Sequence, residues 1–570
     1  MKYGKSWILL LTAALTALIL LLSVLEPETS LTEKVPVVPL SAQVQAVGKT
    51  ETIACWKKGE DRYYLFLPSF ADHGNAELKQ EPGADVRIDG QPLVSGQTCA
   101  ALIPGQDYEL EYTVQGQRHR GTLKLLCSSG LPSVHIRTQS GNMNYIHQEK
   151  GNKESGSIHL YHADGTLSYN GNLSAISGRG NGTWSLDKKP YSLTLTAAAD
   201  LLGMGEADRW VLLANYTDDS HLRNKMVYDF AADVGMPYAA QSRWVDLFLN
   251  GEYAGMYQLS ERNEIHPQRV ALEENNSFLV SLEWVWRLEA QEYPHYTLDS
   301  GFAMRIHHSS MEHEQLRMLW QSAENAILSE DGIDPVTGKD WTQLIDVDSW
   351  ARKYLMEEIF GSLDAGAVSQ YFYGDGETGM IYAGPVWDFD LACGNWEMWQ
   401  LQRPQAFFAD RDRVSAWLQS SWYHGLCQKE GFLQRVTDLY REEYRPLLAQ
   451  YLTENLDAYT EEIQDAVILN QVRWRGIPVE EETAYIRDYL MQRMAFLDSL
   501  WLEGETWYRI LVDTDDGANT VCYAVRPGET IPQLPEIAGG IGWYHRDTEE
   551  PVDLQQPVTE NLDIYLRYQE

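Results

Sequence analysis

The chain has 570 residues, a formal net charge of -37 and 44% hydrophobic residues, including 19 Trp and 32 Tyr. That length calls for roughly two to four domains, and that apolar content for large packed cores, so disorder is excluded as a whole-chain description. The excess of 82 acidic over 45 basic residues argues against nucleic acid or an anionic membrane surface as main partner, and any phosphate-rich ligand needs a local basic exception.

At the N-terminus, Lys2 and Lys5 precede an uncharged run from Ser6 to Leu25, and acidic residues begin at Glu26. This is the charge asymmetry of an export signal, and the run is long enough to cross a bilayer as a helix. Residues 1–26 are therefore expected to be a signal peptide or signal anchor. The poor cleavage site in "LLSVLEPE" favours an uncleaved anchor, and either form places the domains outside the cytoplasm. Residues 27–43, rich in Pro, Ser and Thr, read as a linker. Residues 44–129 carry short alternating runs such as "YYLFLPSF" and "DYELEYTV" between turn residues, which predicts a small all-β, sandwich-like module. Cys55, Cys99 and Cys127 cluster there and could supply one bridge; Cys393, Cys427 and Cys522 are scattered, and no Cys/His spacing suggests zinc.

The region 131–503 mixes strands and helices. "SVHIRT", "SIHLYHADGTLSYNG" and "PYSLTLT" read as strands, and "DDSHLRNKMVYDFAADVG" as a helix capped by Asp219 or Ser220 and closed by Gly235. Asn250–Gly251 joins two strands as a hairpin, "DVDSWARKYLMEEIFGS" is an amphipathic helix, and 430–503 is mostly helical. Strands first and helices later predict an α+β, two-lobed body. The tail, 506–570, returns to β and reads as a third small module.

Four blocks, "ISGRGNGTWSLDKKPYSLTL", "LLGMGEADRWVLLANYTDDSHLRNKMVYDFA", "VDLFLNGEYAGMYQLSER" and "GPVWDFDLACGN", stand in order within about 130 to 400. Together they resemble the CotH family, the spore-coat-protein-H type of secreted atypical kinase. The tail, with "RPGETIPQLP" and "GWYHRD", is similar to the β-grasp-like repeats of bacterial surface proteins. The CotH resemblance implies a kinase-like fold and ATP-dependent phosphorylation of Ser or Thr in secreted or surface proteins, with Mg or Mn as the divalent ion.

The residues support such chemistry in their own right, because phosphoryl transfer needs cations on phosphates, metal-holding carboxylates and a positioned base. Lys189, on a strand edge after a Gly-rich turn, is suited to neutralise phosphate, and Arg179 offers a fixed fork of donors. Gly178, Gly180 and Gly182 permit close backbone approach. Arg179, Gly180, Asn181, Lys188, Lys189 and Glu261 form the expected nucleotide set, with Glu261 pairing with Lys189 or holding the nucleotide. Asp388 and Asp390 alternate around Phe389 and fit a strand end or tight turn able to share a cation. By resemblance Asp388 is the metal ligand, with Asp390 its neighbour; Asn395 is either a further contact or a turn residue. Asp364, between an amphipathic helix and a strand, stands where a kinase-like fold carries its catalytic aspartate. Five residues on, Ser369 replaces the asparagine of a protein-kinase loop.

Two rival readings remain: a catalytically silent adhesion or assembly protein using the kinase-like body as a platform, and a carbohydrate-processing enzyme with Asp364 and Asp388 as paired carboxylates. The second leaves the Lys-Arg cluster without purpose. His307, His308 and His313 lack metalloprotease spacing, and Trp184, Trp210 and Trp387 read as core.

Overall fold

The computed structural model describes residues 38–94, 96–272, 275–375, 379–395, 403–414, 421–514 and 520–569. The N-terminal apolar run and most of the expected linker lie outside the described residues. Among the described residues no helix is long and apolar enough to cross a membrane.

Alternation builds the first layers. Leu40–Ala46 pairs with Lys49–Ala54 on one side and Glu77–Gln80 on the other, burying Leu40, Ala42 and Val44. A six-stranded sheet follows in the order Trp56–Lys58, Arg62–Leu67, Gln117–Cys127, Asp107–Val114, Asp85–Ile88, Gln91–Pro92. The strands thus begin at Leu40, inside the expected linker. No bridge joins Cys55, Cys99 and Cys127, since all six cysteines are free thiols. These sheets hold the next layer directly: the Ala54 amide donates to the Gly251 carbonyl at 2.8 Å, and Phe66 stacks on Tyr253 at 4.7 Å.

The strands expected after residue 131 close into a seven-stranded barrel. Its order is Ser133–Thr138, Lys153–Tyr161, Leu167–Gly178, Tyr191–Asp200, Glu206–Leu213, Glu252–Ser260, Ser242–Leu249, and a parallel pairing of the last with the first completes the ring. Closure removes every edge, and Ile136, Leu160, Leu193, Trp210, Leu247 and Leu259 pack together as its core. The hairpin at Asn250–Gly251 forms as its sequence predicts, both residues taking positive φ (53° and 87°).

The helix Arg223–Asp233 starts later than expected, with Leu222 at its N-cap position and no side-chain cap there. Its entry is held by Ser220, whose hydroxyl accepts the Leu222 amide at 3.0 Å, and by Asp218, which accepts the Arg223 amide at 3.1 Å through one carboxylate oxygen and the Ser220 hydroxyl at 2.5 Å through the other. Gly235 (φ 74°) closes it, the Met236 amide reaching back to the Ala231 carbonyl.

An antiparallel sheet comes next, in the order His295–Thr297, Ala303–Ser309, Phe278–Glu283, Tyr371–Gly374, Tyr382–Ala383. Beside it runs the helix Val347–Phe360, capped by the Asp346 side chain and ended by Gly361 at φ 61°. This helix is not amphipathic as expected. Its polar residues Lys353, Glu357 and Glu358 are fully buried, which internal pairing permits: Lys353 with Glu357, and Glu358 with Arg493 at 2.5 Å. Helices Leu456–Arg473 and Val479–Leu497 complete the body.

The tail forms a sheet in the order Ala406–Phe407, Val521–Val525, Tyr508–Asp513, Leu562–Tyr568, Gly540–His545, with a parallel central pair. Its first strand comes from the body, and Ile510, Val512 and Tyr523 share one apolar cluster with Trp350 and Phe360. The segment 403–414 is lashed on both sides. Backbone amides of Phe408, Ala409 and Asp410 donate to the Glu358 carboxylate at 3.1, 2.8 and 3.1 Å, while Arg413 forks onto Asp563. Arg411 donates to the carbonyls of Ala365 and Thr520. From Leu40 onward the chain is one compact unit. The protein is mixed α+β, as its sequence predicts, around a barrel that its sequence does not reveal.

Candidate active site

The strand Leu167–Gly178 ends at the barrel rim, and the turn after it carries Arg179, Gly180 and Asn181. Two of its glycines answer to packing. A Cβ on Gly178 would meet the Trp184 ring at 2.2 Å; Gly180 has φ 81°, and a Cβ there would meet the Thr183 hydroxyl at 2.1 Å. Gly182 has open space around it. The Gly180 carbonyl accepts from Lys150 at 2.9 Å, and the Asn181 side chain donates to Glu283 at 3.3 Å. The half-buried Arg179 guanidinium lies over the Trp387 ring, 5.6 Å from its centroid, and that ring stacks on Tyr228. Burial lowers the Arg179 pKa, and the neighbouring Asp388 carboxylate opposes the shift.

The two adjacent lysines part company. Lys188 is fully buried; its ammonium donates to the Met256 carbonyl at 2.5 Å and lies over Tyr257 at 4.7 Å. Burial brings its pKa down to about 7, with Asp246 opposing. Lys189 folds back on its own turn, donating to the Trp184 and Leu186 carbonyls at 3.0 and 3.1 Å. Neither lysine makes a described contact with the carboxylates below. Glu261 does not pair with Lys189: its partners are the Arg269 guanidinium and the Gln241 amide, the latter at 2.8 Å.

The acidic side comes from two loops. Asp364 follows the helix Val347–Phe360, in a turn whose carbonyl accepts from the Ala367 amide at 3.0 Å. Its carboxylate makes no hydrogen bond among the described residues. Burial first, then Asp388 and Asp390, push its pKa well above the ordinary carboxylate value. Asp388 sits in no strand; it has φ 68°, a left-handed turn, so strand alternation does not bring it together with Asp390. Its carboxylate accepts from the Ser369 hydroxyl at 2.9 Å and its amide donates to the Tyr228 hydroxyl. The Phe389 amide donates to Asn224 at 2.8 Å, which ties this turn to the Arg223–Asp233 helix. The Asp390 pKa is also raised, by burial and then by Asp388 and Asp218, and its carboxylate accepts from Thr217 at 3.2 Å. Asn395 clamps the turn, its amide donating to the Thr217 and Asp390 carbonyls at 2.9 and 2.6 Å.

The fold therefore brings Asp388 within electrostatic reach of Arg179, Asp364 and Asp390, and Asp364 within reach of Asp390. It also adds cations that sequence reading missed. Arg262 and Arg305 act on Tyr371 together with Arg179, and Arg287 and Arg305 act on Lys150. Arg179, Arg262 and Arg305 make no ion pair among the described residues, whereas Arg287 is paired with Glu283 at 3.0 Å. The available signal was Arg262 itself, the last residue of the block "VDLFLNGEYAGMYQLSER"; Arg287 and Arg305 lie in no block.

Asp364, Asp388 and Asp390 supply the hard-oxygen donors that a divalent cation takes, but their ligand atoms are not all drawn within 4.8 Å of one another. Among the described residues, Asp410, Asp412 and His424 do form such a close group. There Arg509 already pairs with both carboxylates, at 2.9 and 3.2 Å, and supplies the positive charge.

Cations and carboxylates gathered around Asp388 are groups that phosphoryl transfer uses. The sequence pattern described as CotH kinase protein matches residues 176–497, more than half of the chain, and the chain belongs to the CotH kinase family. No curated protein matches it.

Proposed function

We propose that the protein is an extracytoplasmic CotH kinase that transfers the γ-phosphate of ATP to Ser or Thr of secreted or surface proteins. The observation that carries this reading is that Asp388 lies near Arg179 on one side and near Asp364 and Asp390 on the other, inside the CotH-matched region. The barrel would serve as the nucleotide-covering lobe, and the second sheet with its helices as the other. Asp388 and Asp390 would hold the divalent cation, Mg or Mn, which when bound neutralises charge on the phosphates. Arg179, with Arg262 and Arg305 behind it, attracts the triphosphate into an otherwise acidic protein. Asp364, whose carboxylate makes no hydrogen bond among the described residues, receives the proton of the acceptor hydroxyl. Ser369 orients Asp388 through its hydroxyl. Export rests on Lys2, Lys5 and the uncharged run behind them.

Incorporation of labelled phosphate from ATP, run with purified protein and with intact cells given external ATP, tests activity and export together. Asp388→Asn should weaken metal-dependent ATP binding. Asp364→Asn should reduce transfer by a factor of 100 or more while leaving nucleotide affinity nearly intact. Equal transfer by Asp364→Asn and wild type would overturn the assignment of the base. Ser369, in place of the loop asparagine, favours one second reading, a silent kinase-like binding platform, for which wild type shows no transfer at all.

A further inference from the structure

Where the chain leaves the last barrel strand, Glu261, Arg262 and Asn263 line a cavity of about 370 Å³ together with Gln241, Tyr238 and Arg269. That volume suits a small molecule. Arg269 and Asn263 are 7% and 6% exposed. The Arg269 guanidinium lies flat on Trp210, 4.4 Å from the ring centroid, and one terminal nitrogen serves both Glu261 and the Met204 carbonyl. Its opposite edge, Nε and Nη2, is buried and has no partner, and neither has the Asn263 side-chain amide.

Three buried donor nitrogens without an acceptor are costly, about 1–3 kcal/mol for each. The Nε/Nη2 edge is also the side of a guanidinium that receives a carboxylate or phosphate through two parallel bonds. This chain shows that use elsewhere: Nε and Nη2 of Arg445 each donate to Asp498 at 2.8 Å. At Arg269 the fork is held by stacking and by Glu261 with no such acceptor in place. Arg262 and Arg269 stand here among Glu261 and Glu264, and Glu264 is also engaged by Arg209 at 3.5 Å.

We propose that this cavity is a binding site for a small oxyanion, a carboxylate or phosphate group of a metabolite, gripped by Arg269 and Asn263. It is separate from the carboxylate group of the candidate active site, and Arg262 is the residue common to both surroundings.

Titration calorimetry of the full chain with acetate and, separately, with inorganic phosphate tests the site. At least one anion should bind saturably to wild type, bind at least tenfold more weakly to Arg269→Lys, which keeps the charge but loses the fork, and bind normally to Arg179→Ala. Acetate alone would identify a carboxylate ligand, and phosphate alone a phosphoryl one. If neither anion binds, if Arg269→Lys binds as wild type does, or if Arg179→Ala loses binding, the proposal falls. Should Arg269→Lys fail to fold, Asn263→Asp decides: it sets a carboxylate beside the fork and should abolish anion binding, and unchanged binding there overturns the site equally.

Discussion

Lys188 shows what a single buried charge does to the molecule. Its folded pKa of about 7 lies below the ordinary lysine value of 10.5, because burial outweighs Asp246. Between those values the unfolded chain binds a proton that the folded chain has lost, so stability should rise with pH across the window 7 to 10.5, by about 1.4 kcal/mol per pH unit. Asp246, raised to about 6 by burial, has finished titrating below that window. Denaturant unfolding at pH 7, 8 and 9 checks the slope, and Lys188→Met should flatten it while raising stability at pH 7. An unchanged slope in the variant would place the titration elsewhere. At this scale the sequence was partly legible. Arg179, Asp364, Asp388 and Asp390 stood out in the sequence by residue type and local context, but their spacing did not reveal that Asp388 lies near both Arg179 and Asp364. Which of two adjacent lysines faces inward was not readable, since that depends on the strand register next to Tyr257. Arg262 and Arg305 join the site only through pairings distant in sequence.

Among the elements, the helix Val347–Phe360 carries the largest departure from expectation. Period 3.6 in the sequence marks one apolar face, but it cannot tell a solvated polar face from one buried against internal partners. Here Glu358 receives three backbone amides and Arg493, which in turn donates to the Pro404 and Ala406 carbonyls at 2.7 and 2.5 Å. Glu358→Ala leaves the Arg493 charge buried without a counterion and should cost about 3–5 kcal/mol. Adding Arg493→Met should recover much of that loss. Thermal unfolding of both variants, with amide exchange at Phe408 to Asp410, checks this; equal destabilisation by the single and double substitutions would show that the charge pair is not the cause. The strands were legible from alternation and from Asn-Gly, but not the barrel. Its closing pair joins Ser133–Thr138 to Ser242–Leu249, and no local pattern records a pairing of that span.

For the whole molecule, the tail behaves as part of the body. Ala406–Phe407 pairs with Val521–Val525, and the apolar side chains of both regions lie in one cluster. A chain ending at Glu503 should therefore lose more than a surface ornament. Its melting temperature should fall by several degrees or its unfolding cease to be cooperative, and it should self-associate on size-exclusion chromatography. A truncated chain that melts like the intact one would mark residues 506–570 as an independent module, as the abrupt change of sequence pattern first implies.

The bridge made by Arg411 has a bearing on timing. One of its bonds ends on Ala365, next to Asp364, and the other on Thr520, at the start of a tail strand. A chain still emerging during synthesis can already carry all four family blocks and both loops of carboxylates while Arg411 has only its Ala365 acceptor. Arg411 gains its second acceptor only when Thr520 arrives, so an interrupted chain keeps its aspartates but leaves the neighbouring brace tied at one end.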